Sequence, residues 1–132
     1  MPHLTIEYTR NLRQNAQFDG LFARLHAALA ELGGIKQANC KSRAVELDQF
    51  HVGEGAANAA FVHADVRFLE GRSAEVKQGI GRAILAILRD GFPGPADVRD
   101  LQITVEIRDI QRSMYFKHPE GSLDYRDTRH EE

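Results

Sequence analysis

The chain has one cysteine, no tryptophan and only four prolines among its 132 residues. A lone cysteine cannot form an intramolecular disulfide, and we expect Cys40 to be a small buried hydrophobe rather than a nucleophile. No apolar run approaches the roughly 20 residues that span a bilayer, and the basic-then-apolar pattern of a signal peptide is missing. We therefore expect a cytoplasmic protein that does not enter a membrane.

An excess of charge of either sign is also missing. The 17 basic and 19 acidic residues give a net charge of −2, so the chain has no overall field that would attract nucleic acid or an anionic membrane. Any anion site must come from a local cluster of cations.

Metal and phosphate motifs are not evident either. His63 and Asp65 share a face of one predicted strand, but two ligands do not make a metal site, and the other histidines show no ligand spacing. The Gly53-Glu54-Gly55 segment lacks the lysine and helix that follow in a phosphate-binding loop. We therefore expect neither a metal nor a nucleotide cofactor.

Two apolar stripes at helical spacing are present. The first belongs to a helix that we expect Asp19 to cap and Gly33-Gly34 to stop. The second follows Ser73, with Glu75 in the first turn, and ends before Pro93. The stripes contain Leu21, Phe22, Leu25, Ala28, Leu29 and Leu32, and then Val76, Ile80, Ala83, Ile84, Ile87 and Leu88.

Alternating or apolar runs predict strands over residues 4–9, 40–47, 60–69 and 101–108. The order is βαβ followed by βαβ, with a loop or short hairpin over residues 48–58. A four-stranded sheet with two helices on one face would bury both helix stripes, giving an α+β fold. The same order fits a ferredoxin-like RNA-binding module, although the third predicted strand lacks the usual aromatic and glycine pattern and no basic excess accompanies it.

Pro2 stands directly before the first predicted strand. If Met1 is removed, the chain begins with a free secondary amine, and an α-amino group has a reference pKa near 8 that burial or nearby cations lower further. Such a group can take and return protons at neutral pH. Taken alone, the position of Pro2 favours a purely structural role, because proline is well tolerated as the first residue of a strand.

Three cations could bind an anion. Lys41 and Arg43 lie two apart on a predicted strand, so their side chains share a face and could hold one carboxylate-bearing ligand. Arg72 precedes the second helix, whose N-terminus also favours anions. The alternatives are a solvated sheet face for the pair and an ordinary strand-to-helix turn for Gly71-Arg72-Ser73.

The chain resembles the 5-carboxymethyl-2-hydroxymuconate Δ-isomerases of the tautomerase superfamily. The resemblance extends to about His118, and the order and spacing of its segments carry it: Met1-Pro2-His3, Gly20-Leu21-Phe22-Ala23, Lys41-Ser42-Arg43, Ala60-Phe61-Val62-His63, Gly71-Arg72-Ser73 and Phe116-Lys117.

The resemblance implies a homotrimer of βαβ-βαβ subunits, removal of Met1, and a Pro2 nitrogen that moves protons without a cofactor. It places Pro2 and Arg72 in catalysis, and Lys41 and Arg43 in binding the substrate's carboxylates, with lysine at position 41 where arginine is typical of the family. The domain would cover residues 1–118, followed by a polar tail over 119–132. The short apolar patch Met114 to Phe116 would either cover the domain's own sheet or, as we expect, contact a neighbouring subunit.

Two further interpretations remain open at this point. The chain would be a tautomerase for another enol or for a halogenated acid, or a trimeric binding or structural protein whose proline is blocked by Met1 or merely starts a strand. For the isomerase we expect a small-molecule carboxylate substrate as the partner, and neither a nucleic acid nor a membrane.

Overall fold

The computed structural model describes residues 1–119 and residue 121. Within them the elements follow the predicted βαβ-βαβ order, and short 3-10 turns occur over Arg10–Asn15, Gln37–Asn39 and Arg112–Met114. The longer elements are β1 (His3–Thr9), α1 (Leu21–Gly33), β2 (Lys41–Leu47), β3 (Ala59–Leu69), α2 (Ala74–Gly91) and β4 (Asp100–Ile110). Each strand boundary lies within two residues of its predicted position.

The four strands form one sheet in the order β2-β1-β3-β4. β1 pairs with β2 and β3 pairs with β4 in parallel, whereas β1 and β3 run antiparallel in the middle. The two strands of each βαβ unit are therefore hydrogen-bonded to each other. In a ferredoxin-like split βαβ unit, another strand lies between the two strands of the unit. The topology confirms the tautomerase-like prediction and excludes the ferredoxin-like alternative.

Both helices pack on one face of the sheet and form the core with it. The inward-facing residues of β1 and β3 are buried, as the alternating pattern of half-buried strands predicts. Most of the predicted helix stripes face this core, although Leu32 in the last turn of α1 is 42% exposed. The helix residues that are fully buried are Leu21, Leu25, Leu29, Ile80, Ile84 and Leu88.

The ends of the helices match the predictions in part. The Ser73 side chain accepts a 3.2 Å hydrogen bond from the Val76 amide and so caps α2 as expected. The predicted Asp19 cap of α1 is wrong, because the capping position is Gly20, which has a φ of 77° and makes no side-chain cap. Gly34 ends α1 in the left-handed region, and its amide bonds to the Ala30 carbonyl at 3.1 Å.

The face of the sheet opposite the helices is here called the open face, and its side chains are largely polar. After β4 the chain turns back across one end of this face through Gln111 to Tyr115. The predicted tail lies outside the described residues except for Pro119 and Gly121. In the part of the chain that the structure describes, no helix is both long and apolar enough to cross a membrane.

Candidate active site

The strand directions bring the residues predicted from the sequence to one end of the sheet. β1 and β2 begin at this end and the antiparallel β3 finishes there, so His3 is the register partner of both Lys41 and Arg67. The carbonyl of Pro2, which is buried, accepts a 3.0 Å hydrogen bond from the Lys41 amide. Pro2, directly before the first strand, is therefore fixed against the start of the second strand.

Lys41 and Arg43 share the open face, as their spacing predicts. Both are exposed, and the Lys41 ammonium donates to the Asn39 carbonyl at 3.2 Å. One terminal nitrogen of Arg43 lies 3.1 Å from Nδ1 of His3. The pair thus places two positive charges beside the start of β1, where an incoming carboxylate would be attracted.

Arg72 lies at the same end of the sheet but toward the helices. Its Nε donates to the Gly33 carbonyl at 2.9 Å and its Nη1 to the Leu69 carbonyl at 3.2 Å. The guanidinium also stands 5.2 Å from the centre of the buried Phe68 ring. The structure therefore does not put Arg72 on the face that Lys41 and Arg43 share, and gives it contacts that join the end of α1 to the end of β3.

A hydrogen-bonded chain of side chains surrounds the N-terminus. The Met1 amino group lies 3.3 Å from the Tyr115 hydroxyl, which in turn lies 2.8 Å from Nε2 of His3. Arg43 closes the chain at Nδ1 of the same imidazole. We call this group the N-terminal network: Met1, Tyr115, His3 and Arg43.

Burial and charge set the protonation of this network. Burial, joined by the nearby amino terminus and the cations Arg43, Lys41 and Arg67, lowers the pKa of His3 from 6.5 to about 4. Burial also raises the pKa of the Tyr115 hydroxyl, against a smaller opposing effect of Arg43. At neutral pH the imidazole is thus uncharged and the phenol keeps its proton.

A cavity of about 530 Å³ opens on the open face beside this network. This volume is within the range that holds a small organic ligand. Inside it Asp65 accepts hydrogen bonds of 3.0 Å from both Arg67 and Arg108, so the carboxylate offsets part of the local positive charge. Its lining comprises His3, Thr5, Arg43, Asp65, Arg67, Arg108, Asp109, Ile110, Gln111, Met114 and Tyr115.

Sequence reasoning missed His3 and Tyr115 of the N-terminal network, and of the residues that line the cavity it predicted only Arg43 as a site residue. His3 carried a usable signal, since it follows Pro2 on a strand and alternates onto the same face as Lys41 in the neighbouring strand. Tyr115 carried none, because it reaches the N-terminus only through the fold of the segment after β4, 112 residues along the chain from His3.

Comparisons with known proteins agree with this architecture. Residues 2–121 match the profile of the family described as 5-carboxymethyl-2-hydroxymuconate isomerase. The chain is similar to the Escherichia coli 5-carboxymethyl-2-hydroxymuconate Delta-isomerase, with 30% identity over 117 residues that cover 89% of this chain and 93% of the relative.

Solved structures show the same likeness. A crystal structure of a 5-carboxymethyl-2-hydroxymuconate isomerase from Deinococcus radiodurans R1 superposes with a TM-score of 0.73 at 30% identity, covering 97% of this chain and 95% of that one. A fused 4-OT described as a symmetric trimer superposes with a TM-score of 0.70 at 18% identity, covering 96% and 99% of the two chains. At that identity the second likeness concerns the fold alone.

Proposed function

Because the chain belongs to the 5-carboxymethyl-2-hydroxymuconate isomerase family and is a tautomerase-type isomerase, we propose that its Pro2 nitrogen moves the proton of the reaction. The substrate on this proposal is 5-carboxymethyl-2-hydroxymuconate, the compound for which the family and its E. coli member are described. We assign Pro2 as the base because it is buried at the end of the sheet and lies beside a group of cations.

The reaction is a shift of one proton and of the double bonds. The O–H bond of the 2-hydroxy group breaks, a C–H bond forms at carbon 5, and the conjugated diene becomes a 2-oxo compound with one carbon–carbon double bond. A single base that accepts the first proton and returns it at carbon 5 completes this change. Because the atoms and electrons balance within the substrate, the reaction needs no oxidant or reductant.

The Pro2 nitrogen acts in this way only after Met1 is removed, because a nitrogen that is acylated by Met1 is an amide. The free α-amino group has a reference pKa of about 8, and positive neighbours disfavour its protonated form. Lys41 and Arg43 are such neighbours, since both face the start of β1. The same charges that hold an anionic substrate therefore bring the base nearer to neutral pH.

The remaining predicted residues bind the substrate on this proposal. Lys41 and Arg43 attract its carboxylates from the open face, and Arg72 stabilises a carboxylate or the dienolate oxygen from the helix side of the same sheet end. Lysine at position 41 keeps the charge of arginine but loses its bidentate fork. We expect weaker recognition of that carboxylate than an arginine would give.

The assembly that we propose is a homotrimer. Three large apolar side chains are exposed. Near the site, Met114 is 67% exposed and Phe116 is 84% exposed, and Val45 on the open face is 42% exposed. Contact with neighbouring subunits would cover them, and the fused 4-OT with the same fold is described as a symmetric trimer. The mass of the protein in solution, measured by light scattering, tests this.

For the cellular role, we propose a cytoplasmic step in the breakdown of homoprotocatechuate-type aromatic acids. The support is the unsaturated carboxylate for which the family is described. A deletion strain of the native host tests this cellular role. On such an acid, we expect the strain to grow poorly and to accumulate the enol.

The test of the activity follows the ultraviolet absorbance of 5-carboxymethyl-2-hydroxymuconate as it forms the keto isomer. The protein whose mass shows that Met1 is gone is compared with a Pro2→Ala variant that is processed in the same way. Rapid turnover that collapses in the variant supports the proposal. Turnover that is equal in both proteins contradicts the assignment of Pro2.

The lysine at position 41 favours a second candidate, which is a tautomerase of the same fold acting on another enol or a halogenated acid. A panel containing a phenylpyruvate-type enol and a halogenated acrylate distinguishes the two. Higher kcat/KM for a panel member than for 5-carboxymethyl-2-hydroxymuconate would favour the second candidate.

A further inference from the structure

The N-terminal network has a defined direction of hydrogen bonding. Arg43 is always protonated, so its nitrogen at 3.1 Å donates to Nδ1 of His3, which must carry the lone pair. In the neutral imidazole the proton is then on Nε2, and Nε2 donates to the Tyr115 oxygen at 2.8 Å. The hydroxyl hydrogen of Tyr115 is consequently directed to an acceptor other than His3.

Met1 occupies the space beside that hydroxyl, and its ammonium group donates to the Tyr115 oxygen. Its amino group contacts the Tyr115 hydroxyl at 3.3 Å and its carbonyl carbon is bonded to the Pro2 nitrogen, while the whole residue is only 7% exposed. The nitrogens of consecutive residues are three bonds apart, so the Tyr115 oxygen and the Pro2 nitrogen are separated by at most about 7 Å. Removal of Met1 vacates a sheltered space between these two groups and takes away the ammonium donor, so the Tyr115 hydroxyl hydrogen can rotate toward an acceptor bound there.

A substrate that presents its reacting atoms to the Pro2 nitrogen occupies this space. When the 2-hydroxy proton has gone to the base, the negative charge of the dienolate rests largely on that oxygen, and a fixed donor stabilises it. Lys41, Arg43 and Arg72 are positively charged and can bind the carboxylates of the substrate. A neutral hydroxyl can donate a hydrogen bond to the 2-oxygen, whose charge changes during the reaction.

We propose that Tyr115 is a substrate-contacting residue whose hydroxyl donates a hydrogen bond to the 2-oxygen of the dienolate, and that His3, held by Arg43, is its positioning residue. This inference rests on the proposed role of Pro2 as the base. It adds to the reaction a donor from the segment that follows β4, and it gives the His3 imidazole a function that needs no protonation change.

The direct test is Tyr115→Phe, which removes one oxygen and keeps the ring that packs edge-on near His3 with centroids 6.0 Å apart. The matched control is Tyr8→Phe, since the Tyr8 hydroxyl bonds to Glu46 at 3.1 Å near the opposite end of β1. We expect Tyr115→Phe to lower kcat by about 100- to 1,000-fold with a smaller change in KM, as for the loss of one oxyanion donor. We expect Tyr8→Phe to stay within about twofold, as is usual for changes away from the chemistry.

Two more measurements separate a donor from a merely structural residue. If Tyr115 donates and Pro2 is the base, the midpoint of the rising limb of the pH profile is the same in Tyr115→Phe as in the wild type. In a double-mutant cycle, His3→Ala lowers kcat in the wild-type background but adds little to Tyr115→Phe, because it acts through the phenol. Thermal unfolding of each variant checks that the folded state is retained.

The outcomes are distinguishable from those that test the base. Absence of turnover in the processed wild type overturns both proposals. Turnover that Pro2→Ala abolishes but Tyr115→Phe leaves within twofold of Tyr8→Phe overturns the role of Tyr115 alone. Effects of His3→Ala and Tyr115→Phe that simply add overturn the positioning role of His3.

Discussion

Nε of Arg72 lies 2.9 Å from the carbonyl oxygen of Gly33, so a residue two positions before α2 binds the last residue of α1. Carbonyls at the end of a helix lack partners within it, and a cation there also meets the negative end of the helix dipole. A second bond to the Leu69 carbonyl fixes the same guanidinium to β3. Arg72 therefore holds the fold together at the end of the sheet where Pro2 lies, in addition to its proposed contact with the substrate.

We expect Arg72→Ala to lower the free energy of unfolding by about 1–3 kcal/mol, because partly buried carbonyls lose their charged donor. Urea unfolding followed by circular dichroism measures this, with Arg82→Ala on the exposed face of α2 as the matched control. The control should change stability by no more than about 0.5 kcal/mol. Equal stability of the two variants would show that the contacts of Arg72 contribute nothing measurable.

Replacing Lys41 by arginine should restore bidentate recognition of a carboxylate. We expect Lys41→Arg to lower KM by roughly 3- to 10-fold with little change in kcat, since the gain concerns a group distant from the reacting atoms. Lys36→Arg, at an exposed position before β2, makes the same side-chain change away from that strand face. A KM that responds equally to both changes would remove the basis for a specific role of Lys41.

Two glycines of α2, Gly91 and Gly79, differ in the space that an added Cβ would have. A Cβ at Gly91 would lie 2.9 Å from Cδ1 of the fully buried Leu21, whereas a Cβ at Gly79 would meet nothing within 4 Å. We expect Gly91→Ala to destabilise the protein by about 1–3 kcal/mol through overpacking. Gly79→Ala should stabilise it by about 0.5–1 kcal/mol through helix propensity. Thermal unfolding of the two variants, with opposite shifts in Tm, checks the pair.

The imidazole of His3 supplies a prediction about pH. Its pKa is about 4 in the folded chain against 6.5 as the ordinary value, mainly because of burial. The unfolded state therefore binds more protons between these values, and the contribution of His3 to stability is present above pH 6.5 and is lost as the pH falls toward 4. A His3→Asn variant should lack this part of the acid destabilisation.

The measurement is an NMR titration of the His3 ring, together with unfolding of the wild type and of His3→Asn at pH 7, 5.5 and 4. A ring that titrates near 6.5, or a stability difference between the two proteins that does not change with pH, would contradict the prediction. Both chains, with and without Met1, need to be measured because the amino terminus is one cause of the shift.

The helices and strands of this fold could be predicted because each has a local signal. The Ile80, Ile84 and Leu88 stripe repeats every four residues, and β4 alternates over its length. The pairing of the strands could not be predicted from these local signals. It depends on which strand edges meet in three dimensions, and two sheet topologies fit the same order of strands and helices. The cap of α1 was predicted wrongly because Asp19 and Gly20 are both plausible capping residues, and the left-handed backbone at Gly20 decided between them.

The candidate site was predictable to a similar extent. Alternation along β2 correctly placed Lys41 and Arg43 on one face, although their role in binding remains a prediction. The contact of Tyr115 with His3 could not be predicted, because it is a tertiary contact made by a segment without regular periodicity. The side of the sheet on which Arg72 lies also depends on how the turn before α2 folds.

The most direct test of the account measures the titration of the Pro2 nitrogen itself. In protein that carries ¹⁵N-labelled proline and has lost Met1, we expect this nitrogen to titrate below the α-amino reference of about 8. We also expect the rising limb of kcat/KM against pH to share its midpoint, because the base must be unprotonated to act. Midpoints more than one pH unit apart, or full activity in a chain that retains Met1, would contradict the claim that Pro2 is the base.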